Sequence, residues 1–169
     1  TTPEQYFTFD AQTQTITDYD VAGGGTDVVI PSQIGGVDVL HIGNQAFFAK
    51  GITSVVIPEG VLTIEDGYVD TENVENSYGA FGLNLDIAGF SITLPDSLTY
   101  IGIGACAVTT LSAVNIGDGV TEIANFAFAE CNWLENLEIG QNVERIGLGA
   151  FINCALTEFT APDSLRFIG

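Results

Sequence analysis

Short apolar runs recur along the chain, and each one closes on a Pro or a Gly. The last apolar residues of successive runs lie 27, 37, 22, 23 and 22 residues apart. Another apolar residue stands two positions earlier in each run, which predicts a short strand with one buried face. The Pro or Gly predicts the end of that strand, because Pro lacks a backbone N–H and Gly frees the backbone. The apolar pairs are Val28 and Ile30, Val55 and Ile57, Ile92 and Leu94, Val114 and Ile116, Leu137 and Ile139, and Phe159 and Ala161.

A second apolar series follows each break. Its first residue is followed three positions later by an Ile in every unit but the first, and then by a small residue beside an aromatic. In the first unit, residues 35–39 displace the equivalent Ile to Ile42, and in another unit Cys106 stands where a ring is expected. These positions predict one core, buried as each unit stacks on the next. The series comprises Ile34, Val61, Leu98, Val120, Val143 and Leu165, then Ile64, Ile101, Ile123, Ile146 and Ile168, then Ala46-Phe47, Ala80-Phe81, Ala105-Cys106, Ala127-Phe128 and Ala150-Phe151.

Exceptions to the period define the expected organisation. The spacing of 37 contains an insertion at 65–79, after which the register recovers. Residues 6–20 alternate around a polar turn, which predicts a hairpin that shields the edge of the first repeat. We therefore expect a capping hairpin at 1–24 and a solenoid of about six repeats at 25–169. Because the last repeat stops before its Ala-Phe pair, we expect the natural polypeptide to continue or another chain to cover this end.

In this register, the segment LENLEIGQNVERIGLGAFINC (134–154) resembles the leucine-rich repeats of the BspA-like type. Their units follow the pattern L-x-x-L-x-I-P-x-x-V-x-x-I-G-x-x-A-F-x-x-C. The resemblance covers nearly the whole chain, except for 65–79 and for Cys106 at one core position. It implies an α/β-type repeat solenoid with one short parallel strand per repeat and turns or 3-10 segments on the opposite face. It also implies a bacterial or protist surface protein involved in adhesion, without catalytic residues.

The charge balance narrows the classes of partner. Three Lys and Arg stand against 22 Asp and Glu, for a net charge of −19. This charge disfavours nucleic acids and anionic membrane surfaces, and no apolar run is long enough to predict membrane insertion. A coat that promotes solubility and an attraction for basic partners both remain open. One His and three Cys without metal-ligand spacing predict no metal site and no cofactor.

The outward face of the predicted strands is the first candidate binding surface. Its residues flank the first member of each apolar pair, and they are small, polar or weakly acidic. Interface hot spots favour Trp, Tyr and Arg, so a partner site and a merely solvated sheet both remain open. The positions are Asp27 and Val29, Ser54 and Val56, Ser91 and Thr93, Ala113 and Asn115, Asn136 and Glu138, and Glu158 and Thr160.

The insertion at 65–79 is the second candidate, because long loops on a rigid scaffold often bind partners. Its carboxylates could hold calcium, although their spacing does not reproduce an EF-hand loop. A protein-contact loop and a tolerated insertion remain equally open. The residues concerned are Glu65, Asp66, Tyr68, Asp70, Glu72, Glu75 and Tyr78.

Three further residue types have structural explanations. Cys131 and Cys154 occupy the same place in successive repeats, so they are expected to stack as buried thiols or, alternatively, to form a disulfide. Trp133 is expected to pack between turns. His41 is the single imidazole, and the repeat predicts no nucleophile beside it, so we expect no enzyme.

Together these observations favour a non-enzymatic protein-interaction or adhesion module of a secreted or cell-surface protein. The expected partner is a host, matrix or cell-surface protein. The alternative is a structural spacer that presents a neighbouring domain. The sequence leaves the oligomeric state undefined.

Overall fold

The chain winds into a β-solenoid in a computed structural model that describes residues 1–73, 76–85 and 89–169. A 3-10 turn at Glu4–Tyr6 and the helix α1 (Val21–Gly24) are the helical segments within those ranges. The strands are β1 (Phe7–Asp10), β2 (Thr15–Tyr19), β3 (Asp27–Val29), β4 (Gln33–Ile34), β5 (Val37–Asp38), β6 (His41–Ile42), β7 (Ser54–Val56), β8 (Thr63–Ile64), β9 (Ser91–Thr93), β10 (Tyr100–Ile101), β11 (Ala113–Ile116), β12 (Glu122–Ile123), β13 (Asn136–Ile139), β14 (Arg145–Ile146) and β15 (Phe167–Ile168).

Two columns of parallel strands run along the solenoid. The first column contains the predicted strands, as the sheets β3-β7-β9 and β11-β13. The second column pairs β6, β8, β10, β12, β14 and β15, with Ile residues in register from Ile42 to Ile168. The predicted repeat solenoid is thus confirmed. The structure adds the second two-residue strand of each repeat, which the pattern had shown only as a single buried Ile.

The Gly that follows the Ile of the second column lets successive repeats approach closely. A Cβ at Gly43 would lie 2.7 Å from the carbonyl oxygen of Ile16, and one at Gly102 would lie 2.4 Å from that of Glu65. Because real Cβ atoms do not approach a carbonyl so closely, Gly is required there. The recurring Ile-Gly pair is therefore a packing requirement of the stack.

Aromatic rings from successive repeats stack inside the solenoid. The centroids of Phe47 and Phe81 are 5.2 Å apart with nearly parallel rings, and those of Phe128 and Phe151 are 5.3 Å apart. The series is interrupted at Cys106, which is buried and small, and Phe81 instead meets Phe90 at 6.3 Å. The predicted core positions of the central repeats are buried, which confirms the stacked core.

The predicted N-terminal hairpin is present. Strands β1 and β2 pair antiparallel, and β2 then pairs with β6, so the hairpin extends the second column by one edge. Phe7, Ile16 and Tyr19 are buried, and the Tyr19 ring lies 5.4 Å from that of Phe47. The hairpin therefore covers the apolar interior of the first repeat.

The predicted core is wrong at both ends of the stack. In the first repeat Ile34 lies in the small antiparallel pair β4-β5 and is half-buried, while Val39, three residues before Ile42, takes the core place. In the last repeat residues 158–160 form no strand, and Phe159, Ala161 and Ile168 are exposed. These side chains lack the repeat packing that buries their counterparts on both sides.

Candidate interaction surface

The strand face consists of the outward side chains of the first column. Its side chains are exposed as predicted, except that Ser54 is half-buried, and their order follows the strand register. Glu158 and Thr160 are exposed but belong to no strand. The register places Asp27 beside Ser54 and Ser91, Val29 beside Val56 and Thr93, Ala113 beside Asn136, and Asn115 beside Glu138.

At its N-terminal edge the strand face uses its polar groups internally. The Asp27 carboxylate accepts hydrogen bonds from the hydroxyls of Thr53 and Ser54, both at 2.8 Å. These bonds, that of Thr53 first, lower the pKa of Asp27. Beside them Val29 and Val56 are apolar and about two-fifths exposed. This part of the face offers few polar groups to a partner.

The first column is broken between β9 and β11, which belong to separate sheets. A single bridge joins Phe90 to Leu111, and it is one residue out of step with the spacing of 22 between Ile92 and Val114. The described strands therefore leave the facing backbone edges of β9 and β11 without a ladder. Such edges present N–H and carbonyl groups to solvent or to a partner.

A trough follows this break and continues across β13. Adjoining concavities of about 200, 300 and 260 Å³ share lining residues and so form one depression. Gly117 keeps it open, since a Cβ there would lie 3.0 Å from the Asp96 Oδ1. We define the trough by its polar side chains, which are Thr93, Asp96, Asn115, Asp118, Asn136 and Glu138.

The trough is acidic. Asp96, Asp118 and Glu138 line it, and the Asp118 Oδ1 accepts the backbone N–H of Gln141 at 2.7 Å. No Lys or Arg is among its lining residues within the described chain. The three cationic side chains of the protein lie elsewhere, each within an ion pair. These pairs are Lys50 with Asp18 at 2.6 Å, Arg145 with Glu122 at 3.3 Å, and Arg166 with Glu144 at 3.8 Å.

The insertion is a tethered loop at a separate place. Tyr68 and Tyr78 exchange backbone hydrogen bonds of 2.7 and 2.8 Å at its base, and their rings lie 5.8 Å apart. Asp66 accepts hydrogen bonds from the Tyr100 hydroxyl at 2.7 Å and from the Ile103 N–H at 2.9 Å. Burial, together with this bond, raises the pKa of Tyr100. The loop is thus fixed to the next repeat.

Within the loop Asp70 organises the chain. Its carboxylate accepts the N–H groups of Asn73 at 2.9 Å and Glu72 at 3.0 Å, and these bonds lower its pKa. Glu75, a candidate carboxylate of the insertion, lies outside the described residues. Across the described ranges no three His, Cys, Asp or Glu side chains are grouped to hold a metal ion. The calcium alternative therefore gains no support from the arrangement.

The predicted site residues fall into three places. The trough brings together Thr93, Asn115, Asn136 and Glu138. The N-terminal half of the strand face carries Asp27, Ser54, Val56 and Ser91, while Tyr68, Asp70, Glu72 and Tyr78 belong to the loop. Val69 and Thr71 of the loop line a small depression of about 110 Å³ with Phe126, Glu130 and Ile152, and none of these residues lines the trough. The two candidate surfaces are therefore distinct.

Sequence reasoning missed the acids of the trough that lie in turns. Asp96 and Asp118 follow the Pro or Gly that ends β9 and β11. Glu59 has the same place in an earlier repeat, where its carboxylate accepts the N–H groups of Asp96 and Ser97 at 3.0 and 3.1 Å. The recurrence of an acid directly after each strand was the signal that could have found them.

Two structural interpretations need correction. Trp133 is 51% exposed and does not pack between turns, because Leu134 takes the adjacent core position. His41 does lie beside a hydroxyl, with its Nδ1 2.7 Å from the Thr63 Oγ1, because these residues are register partners in β6 and β8. This contact is a cross-strand hydrogen bond of the kind that stabilises sheets.

The cysteines are free in the structure. Cys106 and Cys131 are buried and Cys154 is half-buried. Burial raises the pKa of Cys106 far above its ordinary value. The Sγ of Cys131 donates to the carbonyl of Cys106, and that of Cys154 to the carbonyl of Phe128, both at 3.2 Å. The thiols thus act as small buried donors between repeats.

A family model described as the BspA type leucine rich repeat region matches residues 84–169, in six copies. The chain belongs to this family. Leucine-rich repeat domains of this kind are generally binding scaffolds that mediate protein interactions. No sequence among curated proteins matches the chain significantly. Within the described residues no helix has the length and apolar character needed to cross a membrane.

Two solved structures share the fold of this BspA type repeat protein. The crystal structure of the T. pallidum leucine rich repeat protein TpLRR has a TM-score of 0.70 and 25% identity, and the match covers 92% of this chain and 68% of that one. A leucine rich cell surface protein from Faecalibacterium prausnitzii A2-165 has a TM-score of 0.55 and 24% identity, covering 94% of this chain and 47% of that one.

Proposed function

We propose that this protein is a non-enzymatic interaction module, used for adhesion to a host, matrix or cell-surface protein, and that the strand face is its binding surface. The observation that supports this most is the trough, where a concave depression and exposed polar side chains occur on rigid strands. Rigid elements hold side chains in a fixed geometry, which reduces the entropy lost when a partner binds.

The proposal includes an extracellular or cell-surface location. Membership of the BspA type repeat family supports it, and one protein with the same fold is described as a leucine rich cell surface protein. We also divide the chain into a cap at 1–24 and a solenoid at 25–169. The pairing of β2 with β6 supports this division, because the hairpin closes one edge of the second column.

A structural spacer is the second candidate. The observation in its favour is the exposed apolar surface on the last repeats, where a neighbouring domain would find contacts. Exposed side chains there are Leu148, Ile152, Phe159, Phe167 and Ile168. A spacer would not need the trough, whereas an interaction module would lose its partner when the strand face is altered.

The test uses a panel of purified matrix proteins and cell-surface ectodomains, with binding measured by biolayer interferometry. The double variant Val56→Lys/Thr93→Lys places two long cationic side chains at neighbouring exposed positions of the strand face. The matched control, Leu62→Lys/Leu148→Lys, makes the same charge change at exposed positions outside the face. Circular dichroism confirms that both variants fold.

We expect a panel member that binds the native protein to lose about tenfold or more in affinity for the face variant, since each lost 1.4 kcal/mol is a factor of about ten. The control should bind within about twofold of the native protein. Equal binding by all three proteins, or an absence of binding across the panel, would contradict the proposal and favour the spacer.

A further inference from the structure

We propose that the trough binds a basic, extended segment of a protein partner, with Lys or Arg side chains seated between Asp96, Asp118 and Glu138. This inference rests on the proposed function, because it specifies the chemistry of the partner that the strand face receives. It extends that function by assigning turn residues, Asp96 and Asp118, to the binding surface.

The shape of the trough suits an extended segment. Its concavities adjoin and share Asn115, so they form one path across β9, β11 and β13. Strands in a sheet lie roughly 4.8 Å apart, and an extended chain rises about 3.3 Å per residue. A path across three strands therefore accommodates about three residues of an extended segment, enough to present two side chains of one face.

The hydrogen-bonding groups of the lining are mostly acceptors. The trough offers carboxylates at Asp96, Asp118 and Glu138 and carboxamides at Asn115 and Asn136. The broken ladder between β9 and β11 adds backbone carbonyls to these acceptors. A guanidinium or an ammonium group carries several donors and no acceptor, so it complements such a surface better than a neutral or acidic side chain does.

The charge of the trough also favours a basic segment. All three cationic side chains of the chain are held in ion pairs away from the trough, so its carboxylates face no Lys or Arg of this chain. The net charge of −19 adds a long-range field that attracts a basic segment and repels an acidic one. A face that is small, polar and acidic thus selects its partner through charge.

The test measures binding of fluorescein-labelled octa-arginine by fluorescence anisotropy, with labelled octa-serine as the neutral comparison. The trough variant, Asp96→Asn/Asp118→Asn/Glu138→Gln, removes three charges with little change in shape. The carboxamide that replaces the Asp118 carboxylate can still accept the Gln141 N–H. The matched control, Glu65→Gln/Glu72→Gln/Glu144→Gln, removes three charges that do not line the trough.

We expect the Kd for octa-arginine to rise about tenfold or more in the trough variant and less than about threefold in the control, with the native affinity falling as salt is added. Octa-serine should not bind. Should the trough variant fold poorly, Asp96→Asn/Glu138→Gln leaves the Asp118 hydrogen bond intact and should still weaken binding more than two control substitutions do.

Equal losses from the trough and control variants would overturn this inference, because they would show that arginine binds the acidic surface as a whole. If the panel partner is nevertheless lost with Val56→Lys/Thr93→Lys, the strand face remains the binding surface and only the basic partner is refuted. If the panel partner binds both Lys variants equally, the proposed function itself fails, whatever octa-arginine does.

Discussion

Polar side chains three positions after the stacked aromatic serve backbone carbonyls inside the solenoid. Asn84 Nδ2 donates to the carbonyls of Phe47 at 2.9 Å and Phe81 at 2.7 Å, and its Oδ1 accepts the Ile52 N–H at 3.1 Å. Cys131 and Cys154 make the corresponding bonds with one donor each. A buried carbonyl without a donor costs free energy, so this position needs a small donor, which a thiol, a hydroxyl or an amide supplies.

Replacing Asn84 by Leu should strongly destabilise the protein. The side chain is fully buried, and the change removes three hydrogen bonds while leaving an N–H and two carbonyls without partners. At about 1–3 kcal/mol for each unsatisfied buried group, we expect the free energy of unfolding to fall by at least about 2 kcal/mol. Urea denaturation followed by circular dichroism measures this change.

Asn132→Leu is the matched control, because Asn132 is exposed. Its free energy of unfolding should stay within about 0.5 kcal/mol of the native value. If Asn84→Leu were as stable as the control, the hydrogen bonds of Asn84 would not stabilise the stack, and this explanation of the recurring donor position would be wrong.

The outward positions of the strand face could be predicted from sequence because a strand alternates its side chains strictly. Asn84 could not be found in this way. It belongs to the repeat that carries the insertion, and an Asn there does not match the Cys of later repeats until the backbone contacts are known. The role of Cys131 was predicted as a small buried residue, and the structure shows a donor in addition.

At the scale of strands, the break between β9 and β11 matters most, because it creates the trough. The spacing between the apolar pairs of these repeats is 22, as it is between the last two, so nothing in the period indicated a broken ladder. The break arises because Phe90 and Leu111 pair out of step with the strands that follow. Register between neighbouring strands is a property of the backbone that a repeat length does not determine.

The second column shows the opposite case. Its Ile positions were predicted as core, and the Ile-Gly pair recurs in several repeats, but two-residue strands are too short to show alternation. The insertion was located correctly, and its two tyrosines close its base. That closure makes the loop removable.

Replacing residues 69–77 by Asn-Gly should leave the solenoid folded. Tyr68 and Tyr78 form a hydrogen-bonded antiparallel pair, and Asn-Gly is favoured in the two-residue turn that joins such a pair. Asp66 and its bonds to Tyr100 and Ile103 are kept. We expect a melting temperature within about 4 °C of the native value, which corresponds to about 1 kcal/mol or less. Thermal unfolding followed by circular dichroism measures it.

Asp66→Ala in the native loop is the comparison, because it breaks the anchor and keeps the loop. It should lower the free energy of unfolding by about 1–3 kcal/mol, since the Ile103 N–H loses its partner. A shortened protein that does not fold would contradict the view that the loop is an excursion from the stack. Loss of the panel partner from a folded shortened protein would place binding on the loop instead of the strand face.

At the scale of the whole molecule, the repeat could be predicted almost completely and the function only by class. Buried positions recur because every repeat must pack on the next, so one register locates the core. Binding residues have no such reason to recur. Glu138 was named from alternation, whereas Asp96 and Asp118 join it only because the turns of adjacent repeats lie side by side at the break.

The charge of the molecule acquires a direction from the structure. The sequence is compatible both with a solubility coat and with an attraction for basic partners. The cations are now seen to be held in ion pairs away from the trough, while three carboxylates line its one continuous depression across β9, β11 and β13. This arrangement favours attraction of a basic partner on the strand face and leaves the solubility coat for the remaining surface.

Hydrogen–deuterium exchange of the protein, alone and with its bound panel partner, locates the binding surface without any substitution. Amides at the unpaired edges of β9 and β11 exchange readily when free, because no ladder protects them. We predict slower exchange on binding in residues 92–96, 113–118 and 136–141, with no change in the loop at 65–79. Protection confined to that loop or to the second column, with the trough unchanged, would contradict binding at the strand face.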